Sequence, residues 1–259
     1  MSSVPRHLSP QRLSRFARHI VLPEVGGAGQ VALAGAHVAL VGLGGIGSPA
    51  LQYLAGAGVG RLTLIDRDVV DLSNLQRQTI YRETDLGRAK AEVAAEWVQQ
   101  FDGALKVRIN TGTVGGDSSA QDLEDADLVL DGCDNFATRL IVSDTCTALG
   151  IPLTSAAIGR FQGQVANFAG HLPEQACYRC FVGDAFDADD CDSCAADGVL
   201  GAMAGMIGAF AAMQAIRVLL MGHAALGDPQ WGQLHLFEGL VPSLRTLRIA
   251  KDPGCRGCS

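Results

Sequence analysis

The sequence is poor in aromatic side chains and has no cluster of basic residues. Aromatic residues make up 5% of its 259 positions, and its formal net charge at pH 7 is −7. Nucleic-acid-binding domains present grouped Lys and Arg, often with aromatic side chains on which bases stack. The composition therefore argues against nucleic acid as a partner.

The N-terminus also lacks the apolar segment of a secretory signal. Its first 20 residues, MSSVPRHLSPQRLSRFARHI, are mixed and charged. We therefore expect a cytoplasmic protein. In a chain without a secretory signal, the eight cysteines indicate metal binding or thiol chemistry rather than a disulfide framework.

One apolar segment, residues 199–220, raises the question of a membrane span. Gln214 and Arg217 interrupt it, and no aromatic or basic belt flanks it. Small residues recur along the segment, as in helices that pack closely against their neighbours. The pattern therefore predicts a helix buried in a protein core or a subunit interface, and we expect no membrane partner.

Glycine is abundant, with 32 residues, and the most informative pattern of the chain is built on it. An apolar run at residues 38–41 is followed by a glycine loop that contains Gly42, Gly44, Gly45 and Gly47. A helical segment at residues 50–57 and a second apolar run at residues 62–65 come next. In this context the G-x-G-x-x-G spacing predicts a nucleotide site, because backbone N–H groups at the helix start face phosphate. Asp66, which ends the second run, is placed to accept hydrogen bonds from ribose hydroxyls. NAD, FAD and ATP all fit the pattern.

The stretch after Asp66 is dense with polar side chains that are suited to binding phosphate. They are Asn74, Arg77, Gln78, Arg82, Arg88 and Lys90. A helix is predicted from about Arg88 to Phe101, which places Lys90 in its first turn, where a cation opposes the helix dipole. A bound anion would compensate for that charge, although an ordinary surface lysine remains an alternative.

A polar pair follows the strand predicted at residues 127–131. Asp134 and Asn135 then lie at the same rim as the glycine loop, because open α/β sheets bind ligands at the carboxyl ends of their strands. Asp134 is suited to hold Mg²⁺ against phosphates. The alternative is that Asp134 or Asn135 caps the helix predicted at residues 136–149, and both roles are compatible.

Further strands are predicted beyond this nucleotide-binding pattern. They lie at residues 105–109, 152–156 and 164–168. Gly163 to Val165 mark an expected change from parallel to antiparallel pairing. We find no internal repeat, low-complexity tract or long linker that would divide the chain.

Two C-x-x-C pairs predict a structural metal site. Cys177, Cys180, Cys255 and Cys258 supply four thiolates, which close a tetrahedral zinc site and leave no position for substrate or water. Such a site would join the C-terminus to the middle of the chain. Two separate redox motifs are the alternative.

A third pair, Cys191 and Cys194, lies in the acidic segment GDAFDADDCDSCAADG. Its composition is typical of an exposed loop, and acidic neighbours raise the pKa of a thiol. Composition alone therefore disfavours a catalytic thiol at this place.

The N-terminal residues 9–20 have the pattern of one amphipathic helix, with Ser9 as its N-cap. Arg12, Arg15 and Arg18 recur every three residues along one side. Spacing alone favours a solvated basic stripe.

Taken together, these motifs closely resemble the MoeB/ThiF family, the bacterial relatives of ubiquitin-activating enzymes. The resemblance covers nearly the whole chain. It rests on RFARHIVLPEVGGAGQ (15–30), VALVGLGGIGSPALQYLAGAGVGRLTLID (38–66), DLSNLQRQTIY (71–81), GRAK (87–90), DLVLDGCDN (127–135) and the two cysteine pairs. The SNLQRQ run and the paired C-x-x-C motifs are far more specific than the glycine pattern.

The resemblance implies the fold and its divisions. It implies an α/β, Rossmann-like sheet that is parallel in its nucleotide-binding half and has antiparallel strands in its zinc-stapled C-terminal half. Residues 1–259 would form a single adenylation domain. Within it, residues 1–30 would form an N-terminal helix and arm, residues 31–150 the nucleotide-binding half, and residues 151–259 the half that docks a carrier protein and holds zinc.

The resemblance also implies an activity. The protein would use ATP and Mg²⁺ to adenylylate the C-terminal glycine of a ubiquitin-like sulfur-carrier protein ending in Gly-Gly. The glycine loop would approach the phosphates, Asp66 would bind ribose and Asp134 would bind Mg²⁺. Asn74, Arg77 and Lys90 would contact the triphosphate, with Gln78 and Asn135 beside them. Molybdenum-cofactor synthesis, thiamine synthesis and other sulfur-carrier routes share these motifs.

Two further roles follow from the resemblance. Arg18 matches an arginine that reaches the active site of the neighbouring subunit, which implies a homodimer. Cys194 matches a cysteine that joins the carrier covalently in ThiF-like members and is dispensable in MoeB-like members, and we expect an accessory thiol. Because the sequence ends at Ser259 without a rhodanese-like domain, we expect sulfur to come from a separate protein.

Other functions remain open at this stage. An NAD-dependent oxidoreductase with structural zinc fits the glycine loop and Asp66 but gives no use to Arg18, Arg77, Lys90 and Asp134. A non-catalytic scaffold that only binds a carrier protein would be expected to have lost its phosphate-binding residues. A third possibility keeps the adenylation chemistry but directs it to another acceptor.

Overall fold

The computed structural model describes residues 7–115, 118–183 and 198–259. Its strands are β1 (His37–Val41), β2 (Arg61–Ile65), β3 (Lys106–Asn110), β4 (Leu128–Asp131), β5 (Leu153–Gly159), β6 (Gln162–Phe168), β7 (Gln233–Glu238) and β8 (Ser243–Arg248). Its helices are α1 (Pro10–Arg15), α2 (Ala17–Ile20), α3 (Gly26–Gly35), α4 (Gly47–Ala57), α5 (Lys90–Phe101), α6 (Ser118–Leu123), α7 (Phe136–Leu149), α8 (Tyr178–Val182) and α9 (Gly201–Leu219), with short 3₁₀ turns at Leu72–Asn74 and Glu83–Asp85.

All eight strands form one mixed sheet in the order β3-β2-β1-β4-β5-β6-β7-β8. Strands β1 to β5 pair in parallel. Every residue of β1 is buried, as expected for a central strand that is covered on both faces. The predicted α/β fold and its parallel first half are therefore confirmed, and the carboxyl ends of β1, β2 and β4 meet at one edge.

The second half of the sheet is antiparallel. Strands β5 and β6 pair from Leu153 opposite Phe168 to Gly159 opposite Gln162, and β7 and β8 continue the antiparallel pairing. This confirms the change of direction expected near Gly163. We did not predict strands β7 and β8 from the sequence. Every residue of β8 is exposed at the edge of the sheet, so its sequence does not show the alternation of apolar and polar residues that marks a half-buried strand.

The long apolar helix α9 packs against β5, β6 and α4. A Cβ atom on Gly208 would lie 2.4 Å from the Ile46 carbonyl oxygen, so this glycine lets α9 approach α4 closely. Among the described helices, α9 alone is long and apolar enough to cross a membrane, but 56% of its apolar window is buried inside the protein. The prediction of a buried helix is confirmed.

The prediction of one continuous N-terminal helix is wrong, because the segment forms two short helices. Ser9 caps α1 as expected, since its hydroxyl accepts a hydrogen bond from the Arg12 amide. The helix then breaks at Phe16, which leaves helical geometry and is 2% exposed. The Phe16 ring packs directly against Gly58 and occupies the space that a Cβ atom on this residue would need. Burial of this ring therefore divides the segment into α1 and α2.

The solvated stripe of arginines expected from spacing is found only in part, because Arg12 and Arg15 also make contacts within the protein. Arg12 pairs with the buried Asp102. Arg15 donates to the Phe101 carbonyl oxygen at 2.9 Å and lies over the Phe101 ring. These contacts dock the N-terminal helices on the end of α5. Arg18 is exposed on α2.

Candidate nucleotide site

A cavity of about 560 Å³ opens at the carboxyl ends of β1, β2 and β4. Segments distant in sequence bring most of the predicted site residues to its wall: Gly42, Gly44, Gly45, Asp66, Asn74, Arg77, Gln78, Lys90, Asp134 and Asn135. The structure therefore places the glycine loop, the polar run and the loop after β4 around one space. A cavity of this size is in the range of small-molecule sites.

The glycine loop turns sharply between β1 and α4. Gly42 has a φ of +82°, which residues with a side chain rarely adopt. A Cβ on Gly47 would lie 1.8 Å from the Gly42 carbonyl oxygen. Gly47 thus allows the loop to fold back on the helix, and the structure places it behind the loop rather than in the cavity wall.

Asp66 holds this loop in place through hydrogen bonds. Its carboxylate accepts hydrogen bonds from the Leu43 amide at 2.7 Å and from the Asp68 amide at 2.8 Å. Burial raises the pKa of Asp66, and the Leu43 amide and the Lys90 ammonium oppose that rise. The carboxylate predicted to receive ribose therefore also fixes the residue between Gly42 and Gly44.

Tyr81 holds the same loop residue from the other side, and sequence reasoning missed it. Its hydroxyl donates to the Leu43 carbonyl oxygen at 3.0 Å, and its side chain is buried. Burial, followed by the nearby Asp66 and Asp68 carboxylates, raises the pKa of Tyr81, so its hydroxyl stays protonated as a donor. The sequence signal that could have identified Tyr81 is an aromatic residue at the end of the mostly polar run 71–81.

Lys90 is the first residue of α5, which confirms its predicted place in the first turn. Its side chain is 6% exposed, so the alternative of an ordinary surface lysine is wrong. The ammonium lies 3.1 Å from a carboxylate oxygen of Asp68, whose side chain is 55% exposed. A buried cation with a half-solvated partner is available to a further anion in the cavity.

The polar run forms a short ordered turn. Asp71 caps it by accepting from the Ser73 amide at 2.8 Å, and the Asn74 side chain completes a capping box. Arg77 donates to the Ser73 carbonyl oxygen at 2.9 Å. Gln78 is buried, and its side-chain oxygen has no hydrogen-bond partner among the described residues. The turn thus presents an arginine and an unsatisfied amide to the cavity.

Of the two residues that the sequence offered as helix caps, Asn135 is the one that caps α7, by accepting from the Thr138 amide at 2.8 Å. Asp134 is exposed at the cavity wall, and its role in binding Mg²⁺ stays a prediction. Behind this loop, the buried Arg139 donates to the Cys133 carbonyl oxygen, a contact that the sequence did not indicate.

The four predicted zinc ligands form one cluster outside the cavity. Their sulfur atoms all lie within 4.8 Å of one another, with Cys177–Cys255 at 3.6 Å and Cys180–Cys258 at 3.5 Å. A tetrahedron with Zn–S bonds of about 2.3 Å separates its sulfurs by about 3.8 Å. The residues therefore fit zinc, and their convergence disfavours two separate redox motifs.

Three of the predicted arginines are not among the described residues that line the cavity: Arg18, Arg82 and Arg88. Cys194, like Cys191, lies outside the described residues.

Comparisons with known proteins agree with this architecture. Residues 16–257 match the model of the ThiF family. A Thermus thermophilus protein named sulfur carrier protein adenylyltransferase is 38% identical over 251 residues, which cover 96% of this chain and 91% of that protein. A Haloferax volcanii protein named SAMP-activating enzyme E1 is 37% identical over 251 residues, with 97% and 90% covered.

Among solved structures, E. coli MccB is similar in fold. It superposes with a TM-score of 0.79 at 18% identity, covering 99% of this chain and 75% of the MccB chain. At this identity the likeness concerns the fold alone. The family match over most of the sequence is independent of it, and the chain belongs to the ThiF family.

Proposed function

We propose that this protein is an ATP-dependent adenylyltransferase that activates the C-terminal glycine of a ubiquitin-like sulfur-carrier protein. One observation carries the proposal: a single cavity gathers the glycine loop, the cations Arg77 and Lys90, and the exposed carboxylate of Asp134. The name of the Thermus thermophilus relative supports the substrate class. We further propose that residues 1–259 act as one adenylation domain in the cytoplasm.

In the proposed reaction the terminal carboxylate attacks the α-phosphorus of ATP. A carboxylate oxygen bonds to phosphorus, the bond to the bridging oxygen breaks, and pyrophosphate leaves from an acyl-adenylate. The nucleophile is already ionised at neutral pH, so no general base is needed. Sulfide-level sulfur from a separate donor then bonds to the acyl carbon of the activated glycine, the bond to AMP breaks, and a thiocarboxylate and AMP are formed.

The main obstacle is repulsion between a carboxylate and a triphosphate. Arg77 and Lys90 supply positive charge at the cavity wall, and the N–H groups of the glycine loop face the phosphates. Asn74 and Gln78 add polar contacts, and Asp66 would receive ribose hydroxyls while it holds Leu43. The protein thus neutralises and positions the reactants.

The metals have separate roles in this proposal. Asp134 would hold Mg²⁺, which supplies charge neutralisation to the phosphates when bound. Cys177, Cys180, Cys255 and Cys258 would hold zinc, which would join α8 to the C-terminus. Because all four zinc positions are filled by sulfur, we assign that site to stability.

We propose a homodimer in which Arg18 serves the partner's cavity, since it is exposed and lies outside the wall of its own. An equal mixture of Arg18→Ala and Asp134→Ala subunits tests this. In exchanged dimers one of two sites regains both residues, so about a quarter of wild-type activity should return. Mixtures as inactive as either variant alone would contradict the shared site.

The carrier protein would dock on residues 151–259. The hairpin of β7 and β8 leaves apolar side chains exposed, with Leu240 at 67% and Val241 at 74%. Such side chains at a sheet edge are typical of an interaction surface. Cys194, which belongs to this half of the sequence, would act as an accessory thiol, and adenylation should survive Cys194→Ala.

Carrier-dependent exchange of pyrophosphate into ATP tests the function. Candidate carriers are compared with versions that lack the final glycine, and NAD binding is measured in parallel. Exchange that requires the intact tail supports acyl-adenylate formation and ranks the carriers. ATP binding without exchange for any carrier favours a scaffold or another acceptor, and nicotinamide binding without ATP binding favours an oxidoreductase.

A further inference from the structure

Tyr81 joins two parts of the cavity wall, the glycine loop and the segment of residues 71–86. This segment is closed at its base, where the Gly87 amide donates to the Val70 carbonyl oxygen at 2.9 Å. Near its end, the Tyr81 side chain is 4% exposed and packs in the hydrophobic core. The Tyr81 hydroxyl donates to the Leu43 carbonyl oxygen at 3.0 Å. The segment is therefore attached to the glycine loop at a buried point as well as being closed at its base.

The hydrogen bond from Tyr81 holds one particular peptide group, the one that joins Leu43 to Gly44. A trans peptide group is planar, and its C=O and N–H point in opposite directions. A bond that holds the Leu43 carbonyl oxygen toward Tyr81 therefore directs the Gly44 N–H away from Tyr81. Gly44 lines the cavity, and its N–H has no hydrogen-bond partner among the described residues. This N–H is thus available to an anion in the cavity.

Asp66 holds the preceding peptide group in a similar way. Its carboxylate accepts from the Leu43 amide at 2.7 Å. Two side chains from different segments therefore hold the peptide groups on the two sides of Leu43. Rotation of the second group changes the φ of Gly44, and a glycine tolerates many φ values. Without the Tyr81 hydroxyl, the loop alone would not fix the direction of the Gly44 N–H.

The same segment places polar side chains against the glycine loop. A Cβ atom on Gly45 would lie 3.3 Å from Cδ of Arg77, and one on Gly44 would lie 3.5 Å from Nε2 of Gln78. A cationic side chain and an N–H without a partner among the described residues therefore occupy the same part of the cavity wall. Phosphate oxygens accept hydrogen bonds from both kinds of donor.

We propose that Tyr81 is a positioning residue for nucleotide binding, because its hydroxyl holds the Leu43–Gly44 peptide group so that the Gly44 N–H faces the phosphates. The inference rests on the proposed function for the identity of the nucleotide as ATP. It gives the hydroxyl a role in phosphate affinity, which is distinct from the contribution of the buried ring to the core.

The test compares Tyr81→Phe, which removes the hydroxyl and keeps the ring, with a control, Tyr53→Phe on α4, where the side chain is 58% exposed. Calorimetric titration measures the affinities for ATP and for adenosine, which has no phosphate, and Tm is measured for each protein. Because the loop must be reoriented before it binds phosphate, Tyr81→Phe should bind ATP about tenfold more weakly. Its adenosine affinity should change by less than about twofold, and Tyr53→Phe should match the wild-type protein in both affinities.

Two further readouts separate positioning from a general loss of structure. In pyrophosphate exchange, Tyr81→Phe should raise the KM for ATP about tenfold and keep kcat within about twofold, because the phosphate contact is made in both the ground state and the transition state. Without nucleotide, the Leu43 amide hydrogen should exchange with deuterium faster in this variant by NMR, whereas exchange in α7 should stay unchanged.

Wild-type ATP affinity in Tyr81→Phe would overturn the inference. Unfolding of this variant, or parallel losses of ATP and adenosine affinity, would also overturn it, because these results assign the hydroxyl to the stability of the core. If the wild-type protein binds no ATP, the proposed function fails. The deuterium exchange needs no nucleotide, so it still decides whether the Tyr81 hydroxyl holds the loop.

Discussion

Replacement of Lys90 by Met should abolish most activity while leaving the fold nearly as stable as before. Methionine keeps the apolar stem of the buried side chain and removes its charge. The ion pair with Asp68 is lost, but the Asp68 side chain is 55% exposed and remains solvated. A pair of this kind contributes about 0–1 kcal/mol, so the free energy of unfolding should change by no more than about 1 kcal/mol.

The effect on the reaction is expected to be far larger. Two unit charges about 4 Å apart interact by about 4 kcal/mol at an effective dielectric constant of about 20. Loss of one positioned electrostatic contact in a transition state typically costs about 3 kcal/mol, which corresponds to roughly 150-fold in rate. Because Lys90 lines the cavity in which the proposed reaction would take place, we expect the loss mainly in kcat of pyrophosphate exchange.

The assay pairs exchange kinetics with urea unfolding, and Lys106→Met serves as the control. Lys106 is exposed on β3 and does not line the cavity. This control should match the wild-type protein in both measurements. A Lys90→Met variant that retains activity within about threefold, or one that loses activity only because it unfolds, would refute the assigned role.

Three other predictions follow from the structure. Arg77→Ala and Asp134→Ala should each abolish exchange without lowering Tm, because both side chains lie at the cavity wall; wild-type rates in either variant would refute the site. Cys258→Ser should lose bound zinc and unfold at a Tm lower by several degrees, because the cluster joins the C-terminus to α8; an unchanged zinc content and Tm would argue against the metal. Burial lowers the pKa of His37 below 6.5, so the unfolded chain binds more protons below that pH. The resulting stability is present above pH 6.5 and is lost as the pH falls through the lowered pKa, by at most about 1.4 kcal/mol per pH unit, and His37→Gln should flatten this dependence of the unfolding free energy.

The parallel half of the fold was predictable because its signals are local. The run at residues 38–41 is fully buried in β1, and its glycine loop is followed by α4 where the pattern placed a helix. Asn135 and α7 were likewise read from neighbouring residues. The cysteine cluster was predictable because two C-x-x-C pairs have few alternatives, even though the pairs are far apart in the chain.

The remainder depends on contacts that no local pattern encodes. Asp66 accepts a hydrogen bond from the Leu43 amide, and Tyr81 donates one to the Leu43 carbonyl oxygen. Lys90 donates to Asp68, which lies 22 residues earlier in the chain. The break at Phe16 arises because its ring fills space beside another helix. Strand β8 pairs with β7 at the edge of the sheet, and its exposed side chains show no pattern of burial in the sequence.

In the proposed reaction a carboxylate oxygen of the carrier attacks the α-phosphorus of ATP, and isotope labelling tests this step directly. A carrier in which both oxygens of the C-terminal carboxylate are ¹⁸O is incubated with the protein, ATP and Mg²⁺, with hydrosulfide added as the nucleophile. Attack of hydrosulfide at the acyl carbon then leaves the bridging oxygen on AMP. We expect one ¹⁸O atom in each AMP by mass spectrometry, whereas unlabelled AMP, or label in inorganic phosphate, would refute attack at the α-phosphorus.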